Sequence, residues 1–318
     1  LAPGESTASG SACTFADYAC IPINSPSLPF QASSMILGSM ILRKDSPLAI
    51  KWNYIHRMVP WLAQFIANCR PQKVAGIIDA LAVILSNAES GLMPLIEDAG
   101  ATDLIQRRGC LYLYNTAKGY DAARPDIQAR RERGVSLQEI GAGEVYEMEP
   151  SLEHLFHKGV FFDKAFQFLF PGKLIERLTA HFVAQGGIFI TGNVNSVDST
   201  RSRTGHEMGS NSNTQNVSIR YDGKTLLADK AVIAAGAHAL ELLPSLSGKM
   251  PLDTERGYHV MLDATKTALN RPVGWAEKGF YMTPLANQIR IAGTVELGGL
   301  QKEYTDRLLN YLEKMAKQ

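Results

Sequence analysis

Apolar residues recur at helical spacing in two runs between Leu48 and Ala88. Trp52, Ile55, Val59 and Leu62 form the first, and Val74, Ile77, Ile78, Leu81 and Leu85 the second. This period gives each of two helices an apolar stripe, and Pro71 marks the break between them. Cys110-Leu111-Tyr112-Leu113-Tyr114 is short, aromatic and apolar, which predicts a strand. Arg124 to Arg133 carries charges at helical spacing and predicts a solvated helix. Gly172 to Gln185 sets Leu174, Ile175, Leu178 and Phe182 on one face and stops at Gly186-Gly187, so a helix is expected there.

The pattern then changes to strands. Ile188-Phe189-Ile190 predicts one, followed by Asn193-Val194-Asn195-Ser196-Val197. From Ser199 to Asn216, 12 of 18 residues are Ser, Thr, Asn or Gly, the composition of an exposed insertion. Asp222-Gly223 separates two strand-like runs and predicts a tight hairpin turn. Lys230-Ala231-Val232-Ile233-Ala234-Ala235 is almost wholly apolar and ends at Gly236, which predicts a strand covered on both faces. Gly257 to Leu262, Phe280 to Thr283 and Gln288 to Thr294 read as strands that can pair, and Tyr304 to Lys317 as a terminal amphipathic helix. Leu1 to Ser34 has no period and reads as a long irregular segment.

Composition narrows the class. The chain has 318 residues, roughly two domains' worth at about 150 residues each. Its 32 basic and 31 acidic side chains leave a formal charge of +1, so no nucleic acid or other polyanion is implied as a partner. With 45% hydrophobic and 20% charged residues it is an ordinary globular composition. Cys13, Cys20, Cys69 and Cys110 match no zinc or redox-pair spacing and read as reduced thiols, and no metal site is expected. Val74 to Ala88 is interrupted by Asp79 and falls short of the about 20 apolar residues a transmembrane helix needs. Position 1 is Leu rather than Met, and the opening has no secretory-signal pattern, so the sequence reads as a fragment.

Chemistry enters with Ala228-Asp229-Lys230-Ala231-Val232-Ile233-Ala234-Ala235-Gly236-Ala237-His238. A strand ending in small residues lets backbone approach a large flat ligand, although the same residues also serve plain packing. This segment resembles the second flavin-contacting strand of the D-amino-acid oxidase and dehydrogenase superfamily of FAD enzymes. Other blocks follow in that family's order. Gly4-Glu5-Ser6-Thr7-Ala8-Ser9-Gly10-Ser11-Ala12 is similar to the loop that wraps the pyrophosphate and flavin ring. Leu174 to Val194 is similar to the segment that delivers a backbone contact to the adenine. Glu255-Arg256-Gly257-Tyr258 and Arg290-Ile291-Ala292-Gly293-Thr294-Val295-Glu296 resemble paired substrate-domain strands of the D-amino-acid dehydrogenase branch.

Some family features are missing. No strand, Gly-x-Gly-x-x-Gly turn and helix precede the Gly4 loop, a difference of about one βαβ unit, and no Gly-x-Arg-Pro block follows residue 300. Cys13 stands where a glycine is common, and Phe170-Pro171 replaces a frequent Asp-Pro. The helix N-terminus that should face the pyrophosphate is among the missing parts, so weak or no FAD binding is expected of residues 1 to 318 alone.

The resemblance implies an α/β protein, α+β overall. Its incomplete FAD-binding Rossmann-like domain comprises residues 1–34 and 150–240. A substrate domain with a mostly antiparallel sheet and helices comprises 35–149 and 241–318. It implies FAD as cofactor, with Ser9, Ser11, Ala12, Cys13, Val194, Ala235, Gly236 and Ala237 as its contacts. The implied reaction oxidises the C–N bond of an amino acid, D-configured in the matching branch, by hydride transfer to flavin. No side-chain catalyst is identified, because a deprotonated amine can release hydride directly. Tyr258 and Tyr281 are candidates for the substrate side, since a phenol covers an apolar pocket while its hydroxyl bonds a carboxylate; a core role is the plainer alternative. Arg290 can pair with an anionic substrate or lie exposed on its strand, and Glu296 reads as solvent-facing. His238 and His259 read as structural. An amine oxidase of glycine or sarcosine type, or a remnant that no longer binds FAD, remain open alternatives. A cytoplasmic location is expected, with the Trp52 to Ala88 helices offering a peripheral inner-membrane or quinone contact as the alternative to packing over the substrate domain.

Overall fold

A computed structural model describes residues 2–26, 47–201, 215–243, 250, 252–263, 269–300 and 304–317. Residues 27–34 of the irregular opening and 202–214 of the Ser/Asn-rich insertion lie outside the described residues. The helices are α1 (Ile55–Ala67), α2 (Pro71–Ser86), α3 (Ala88–Asp98), α4 (Ala117–Glu132), α5 (Ala142–Met148), α6 (Pro171–Ala184), α7 (Ala239–Leu242) and α8 (Asp306–Ala316). The strands are β1 (Thr14–Phe15), β2 (Leu48–Ile50), β3 (Ile105–Gln106), β4 (Cys110–Tyr114), β5 (Gln138–Gly141), β6 (Lys158–Phe162), β7 (Phe166–Phe168), β8 (Val194–Arg201), β9 (Gln215–Tyr221), β10 (Lys224–Ala228), β11 (Arg256–Asp263), β12 (Val273–Trp275), β13 (Phe280–Leu285) and β14 (Gln288–Leu297).

The chain forms two compact units, Leu1–Ile188 with Glu255–Gln318, and Phe189–Thr254. Their boundary at 188/189 falls inside the stretch 150–240. The larger unit is organised by a sheet in the order β11-β14-β13-β12-β4-β6-β5, with β2 also on β14, and by a small sheet β1-β7-β3. Most pairs are antiparallel; β12 with β4 and β14 with β2 are parallel. Alternation along β4 splits its side chains between two cores. Leu111 and Leu113 join Val273, Phe280 and Ile291 beneath Leu308 and Leu312 of α8. Each such fully buried leucine contributes about 2 kcal/mol. Cys110 and Tyr114 face the other way, against Tyr18, Tyr120 and Phe162.

The periodic helices form where their apolar stripes predict. Pro71 sits at the first turn of α2, where its missing N–H costs nothing. The charged helix begins earlier than Arg124, at Ala117, because the Thr116 hydroxyl caps it by accepting from the Gly119 N–H at 2.9 Å. Residues 71–98 run as two nearly continuous helices, 28 residues long and apolar enough to cross a membrane by length and composition alone. Yet Val74, Ile78 and Ile96 are buried in protein cores. All four cysteines are free and buried.

The smaller unit is an antiparallel sheet β10-β9-β8. Asp222 (φ 45°) and Gly223 (φ 74°) make the predicted two-residue turn with both residues left-handed. Contrary to their apolar pattern, residues 188–190 and 230–235 form no strand. Both are largely exposed, Val232 at 93%. A strand needs a neighbour to take its backbone hydrogen bonds, and no described strand lies alongside either segment.

Candidate functional site

The loop at 9–13 is held by three strands of the large sheet. It leaves a 3-10 turn (Thr7–Gly10) and passes into β1, with Cys13 in the left-handed region at φ 61°. That conformation suits glycine best, which accounts for the resembled family's preference at this position. From β14, Arg290 donates through Nη1 to the carbonyls of Ser9 (2.7 Å) and Ser11 (2.9 Å), and lies 3.1 Å from the Cys13 sulfur. Its Nε contacts Met261 Sδ at 3.3 Å, and no described residue bonds its Nη2. From β13, Thr283 donates to the Ala12 carbonyl at 2.8 Å. From β11, the His259 ring packs on Gly10 so closely that a Cβ there would lie 3.3 Å from it.

Arg290 is therefore not an exposed strand residue: it is 9% exposed. Glu296 also differs from expectation, at 1% exposure, bonded by Arg256, Lys51 and Thr305. Both follow from the position of β14 inside the sheet, covered on both faces, where a charge survives only if partnered.

Electrostatics at the loop are dominated by burial. Desolvation pushes the Cys13 thiol above its ordinary value, outweighing the Arg290 charge beside it, so the sulfur is a neutral thiol at pH 7. Desolvation, then Arg290, holds the His259 imidazole below its usual value, which keeps it uncharged.

A cavity of about 620 Å³ opens beside the loop, between the start of α6 and the β13–β14 hairpin. Its wall includes Ser9 and Met261, the cations Lys173 and Arg290, and the carboxylates of Glu176 and Asp263. The volume falls in the range of about 300–1,000 Å³ common for small-molecule sites. Of the loop, Ser9 lines the cavity; along the loop the side chains are short, with Ser11 exposed and Ser9 and Ala12 half-buried, so a flat ligand can reach backbone. In the smaller unit, Gly236 (φ 53°) and Ala237 are exposed, Ala235 half-buried, and Val194 begins β8. These small, accessible positions fit a flavin nucleotide. Among the described residues no cluster suits a metal ion.

Tyr258 and Tyr281 lie elsewhere. Tyr258 is in the core under α8, its hydroxyl accepting from the Thr305 N–H at 2.9 Å. Tyr281 packs on the opposite face with Tyr18 and Tyr112. Thr283, Met261 and Lys173 were missed by sequence reasoning. Thr283 alone carried a signal, two residues from Tyr281 and hence on the same strand face.

Comparison with known proteins points to the same family as the resemblance. A family model described as FAD dependent oxidoreductase (DAO) matches residues 69–318. A D-amino-acid oxidase of Bradyrhizobium diazoefficiens is 28% identical over 305 residues, covering 94% of this chain and 67% of the relative. A D-amino acid dehydrogenase of Dechloromonas aromatica is 25% identical, covering 82% of this chain and 62% of that protein. In structure, glycine oxidase from Geobacillus kaustophilus superposes with a TM-score of 0.60 at 18% identity, over 98% of this chain and 67% of its own. The chain thus spans about two-thirds of the length of these relatives. It belongs to the DAO family of FAD-dependent oxidoreductases.

Proposed function

We propose that the protein oxidises the C–N bond of an amino acid, with D-amino acids as its substrate class, using FAD. The observation that carries the substrate reading is the cavity wall. Lys173 and Arg290 stand opposite in charge to Glu176 and Asp263, a pairing that suits a zwitterion. Arg290 spends Nη1 on the loop and Nε on Met261 of β11, and keeps Nη2 for a carboxylate. Ser9, Ser11, Ala12 and Cys13 of the larger unit would contact the flavin, and Val194, Ala235, Gly236 and Ala237 of the smaller unit would supply nucleotide contacts. The cofactor half is drawn from residues 1–34 and 150–240, and the substrate half from 35–149 and 241–318.

When bound, FAD supplies the hydride acceptor, and the protein supplies placement. Arg290 fixes the loop and the substrate carboxylate together, so the substrate α-carbon is oriented by the same cation that shapes the flavin side. The neutral His259 and the protonated Cys13 thiol add no charge at this point. The imine product then hydrolyses to a keto acid and ammonia.

A peripheral membrane contact through α1 and α2 is favoured by the exposed Val59, Ile66, Val83 and Ile84, with Arg57, Arg70 and Lys73 in the same stretch. With it goes a cytoplasmic location at the membrane face. Sedimentation with anionic vesicles tests that contact.

Purification of the natural full-length product tests the enzyme reading. A flavin chromophore bleached anaerobically by D-amino acids but not by their L-isomers is the expected result. Folded, colourless protein that ignores added FAD would overturn it.

A further inference from the structure

Cys110, Tyr112 and Tyr114 alternate along β4 and share one face. Tyr281 reaches the same face from β13, with β12 lying between the two strands. The rings of Tyr112 and Tyr281 nevertheless sit 5.9 Å apart, inclined at 29°. They meet because the residue between them is Gly274, the register partner of both. A Cβ at Gly274 would come within 2.5 Å of Tyr112 and 2.8 Å of Tyr281, so any side chain there would push the pair apart.

From Tyr112 the contacts continue to Tyr114 (5.7 Å) and on to Tyr120 of α4 (5.5 Å). The Tyr120 hydroxyl donates to Glu139, whose other oxygen pairs with Arg131 at 2.6 Å on the surface. At the inner end, the Tyr281 and Tyr18 hydroxyls are 3.3 Å apart, and Tyr18 is 3.3 Å from the Cys110 sulfur. Thr283, which bonds the loop at Ala12, lies two residues from Tyr281 on the same face, about 7 Å along the strand.

Phenols are among the side chains most easily oxidised by one electron, and these four make ring contact from Tyr281, two residues from the loop-bonding Thr283, to Tyr120, whose hydroxyl meets the exposed Glu139. We propose that Tyr281, Tyr112, Tyr114 and Tyr120 form a relay that carries a one-electron oxidising equivalent outward from the flavin loop to Glu139. The oxidant is an oxygen-centred radical formed beside the loop, so the physiological role rests on the flavin reading. The radical gains one electron, which leaves Tyr120 by way of the three inner rings. The Tyr120 phenol proton passes to the Glu139 carboxylate, leaving a neutral tyrosyl and a carboxylic acid. Tyr120 is buried, so a thiolate in solution at the exposed Glu139 edge gives it an electron and becomes a thiyl radical, while Glu139 returns its proton to the phenol oxygen.

Tyr120 is the resting place because it alone of the four relay tyrosines bonds a base. Tyr281, Tyr18 and Cys110 bond neutral groups, and no described residue bonds the hydroxyls of Tyr112 and Tyr114. The cations Lys158 and Arg124 lie 4.7 and 5.8 Å from the Tyr120 ring centre. They oppose a positively charged ring, so loss of the electron requires loss of the proton. Arg131 and the Tyr120 hydroxyl hold the Glu139 carboxyl below its ordinary value, which keeps the acceptor ionised.

The test uses the 318-residue chain carrying Ser11→Cys, labelled with a ruthenium polypyridyl photosensitiser. The native cysteines are buried, and so the new thiol is the one labelled. After a flash with a sacrificial electron acceptor, electron paramagnetic resonance and spin-trap peptide mapping locate the radical. The expected result is a tyrosyl on Tyr120, most of which is lost in Tyr112→Phe, a variant that keeps the ring packing. Equal Tyr120 yield in Tyr112→Phe would overturn the relay, as would a radical settling on the exposed Tyr304 instead. No flavin takes part, so a chain that conducts but binds no FAD leaves the relay standing while the cofactor reading falls.

Discussion

Arg290 and Cys13 lie 277 positions apart in sequence, yet Nη1 of one is 3.1 Å from Sγ of the other. The contact closes the loop onto the β11-β14-β13 end of the large sheet. It also makes one cation responsible for the shape of the candidate flavin loop and for one wall of the cavity.

Replacing Arg290 by Lys should loosen that loop. A lysine offers a single compact donor group where arginine's fork reaches two carbonyls and a thioether. Losing such charge-assisted bonds costs about 1.5–3 kcal/mol, readable as a shift in urea midpoint. Cys13, buried behind the clamp, should become faster to alkylate with iodoacetamide. An unchanged rate would mean that the loop is held by Thr283 and His259 alone.

Cys13→Gly and Cys13→Val should part in opposite directions from simple size expectations. Glycine relieves a left-handed backbone worth about 1–2 kcal/mol, which offsets the lost packing of a small buried side chain. Valine fills the space but is β-branched at φ 61°, where such residues are true outliers. Near-wild-type melting for the glycine variant and a clear loss for valine is the expected pair of results.

Phe170 is the N-cap residue of α6 and gives it no side-chain hydrogen bond. Phe170→Asp should stabilise the chain by about 1 kcal/mol, the usual value of an acidic N-cap. Thermal unfolding at low salt measures it. No gain would show that the ring's contact with Lys173 matters as much as the missing cap.

His259 sets a pH dependence with a definite sign. Its folded value lies below the ordinary 6.5, so the unfolded chain binds a proton that the native state refuses. Stability contributed by the neutral ring is present above about pH 6.5 and falls as pH drops toward the folded value. In His259→Asn the decline on acidification should be shallower. Parallel unfolding curves for the two proteins across this range would exclude the contribution.

Local pattern was enough for the amphipathic helices and for the Asp222-Gly223 hairpin, because their periods and turn residues act over a few positions. It was enough for the family motifs for the same reason. α3 escaped notice since Gly91 and Pro94, ordinary breakers, sit inside it, tolerated where Ile96 packs on Leu104 and Leu174. The buried state of Arg290 and Glu296 was illegible because alternation along a strand tells which residues share a face, not how many faces are covered. For residues 230–235 the apolar run reported a need for cover, while the cover itself depends on segments distant in sequence. The clamp on the 9–13 loop was hidden likewise: its members come from three strands that converge only in the folded sheet.

The open segment at 230–235 has a practical side. A short apolar run with little charge, no proline and free backbone donors is the material from which cross-β stacks are made, and Val232 stands almost fully in water. Two copies of the chain can satisfy each other's unpaired amides by aligning these runs, so concentrated solutions of the isolated 318 residues will drift toward fibrils or amorphous precipitate unless a ligand or neighbouring strand takes that edge first.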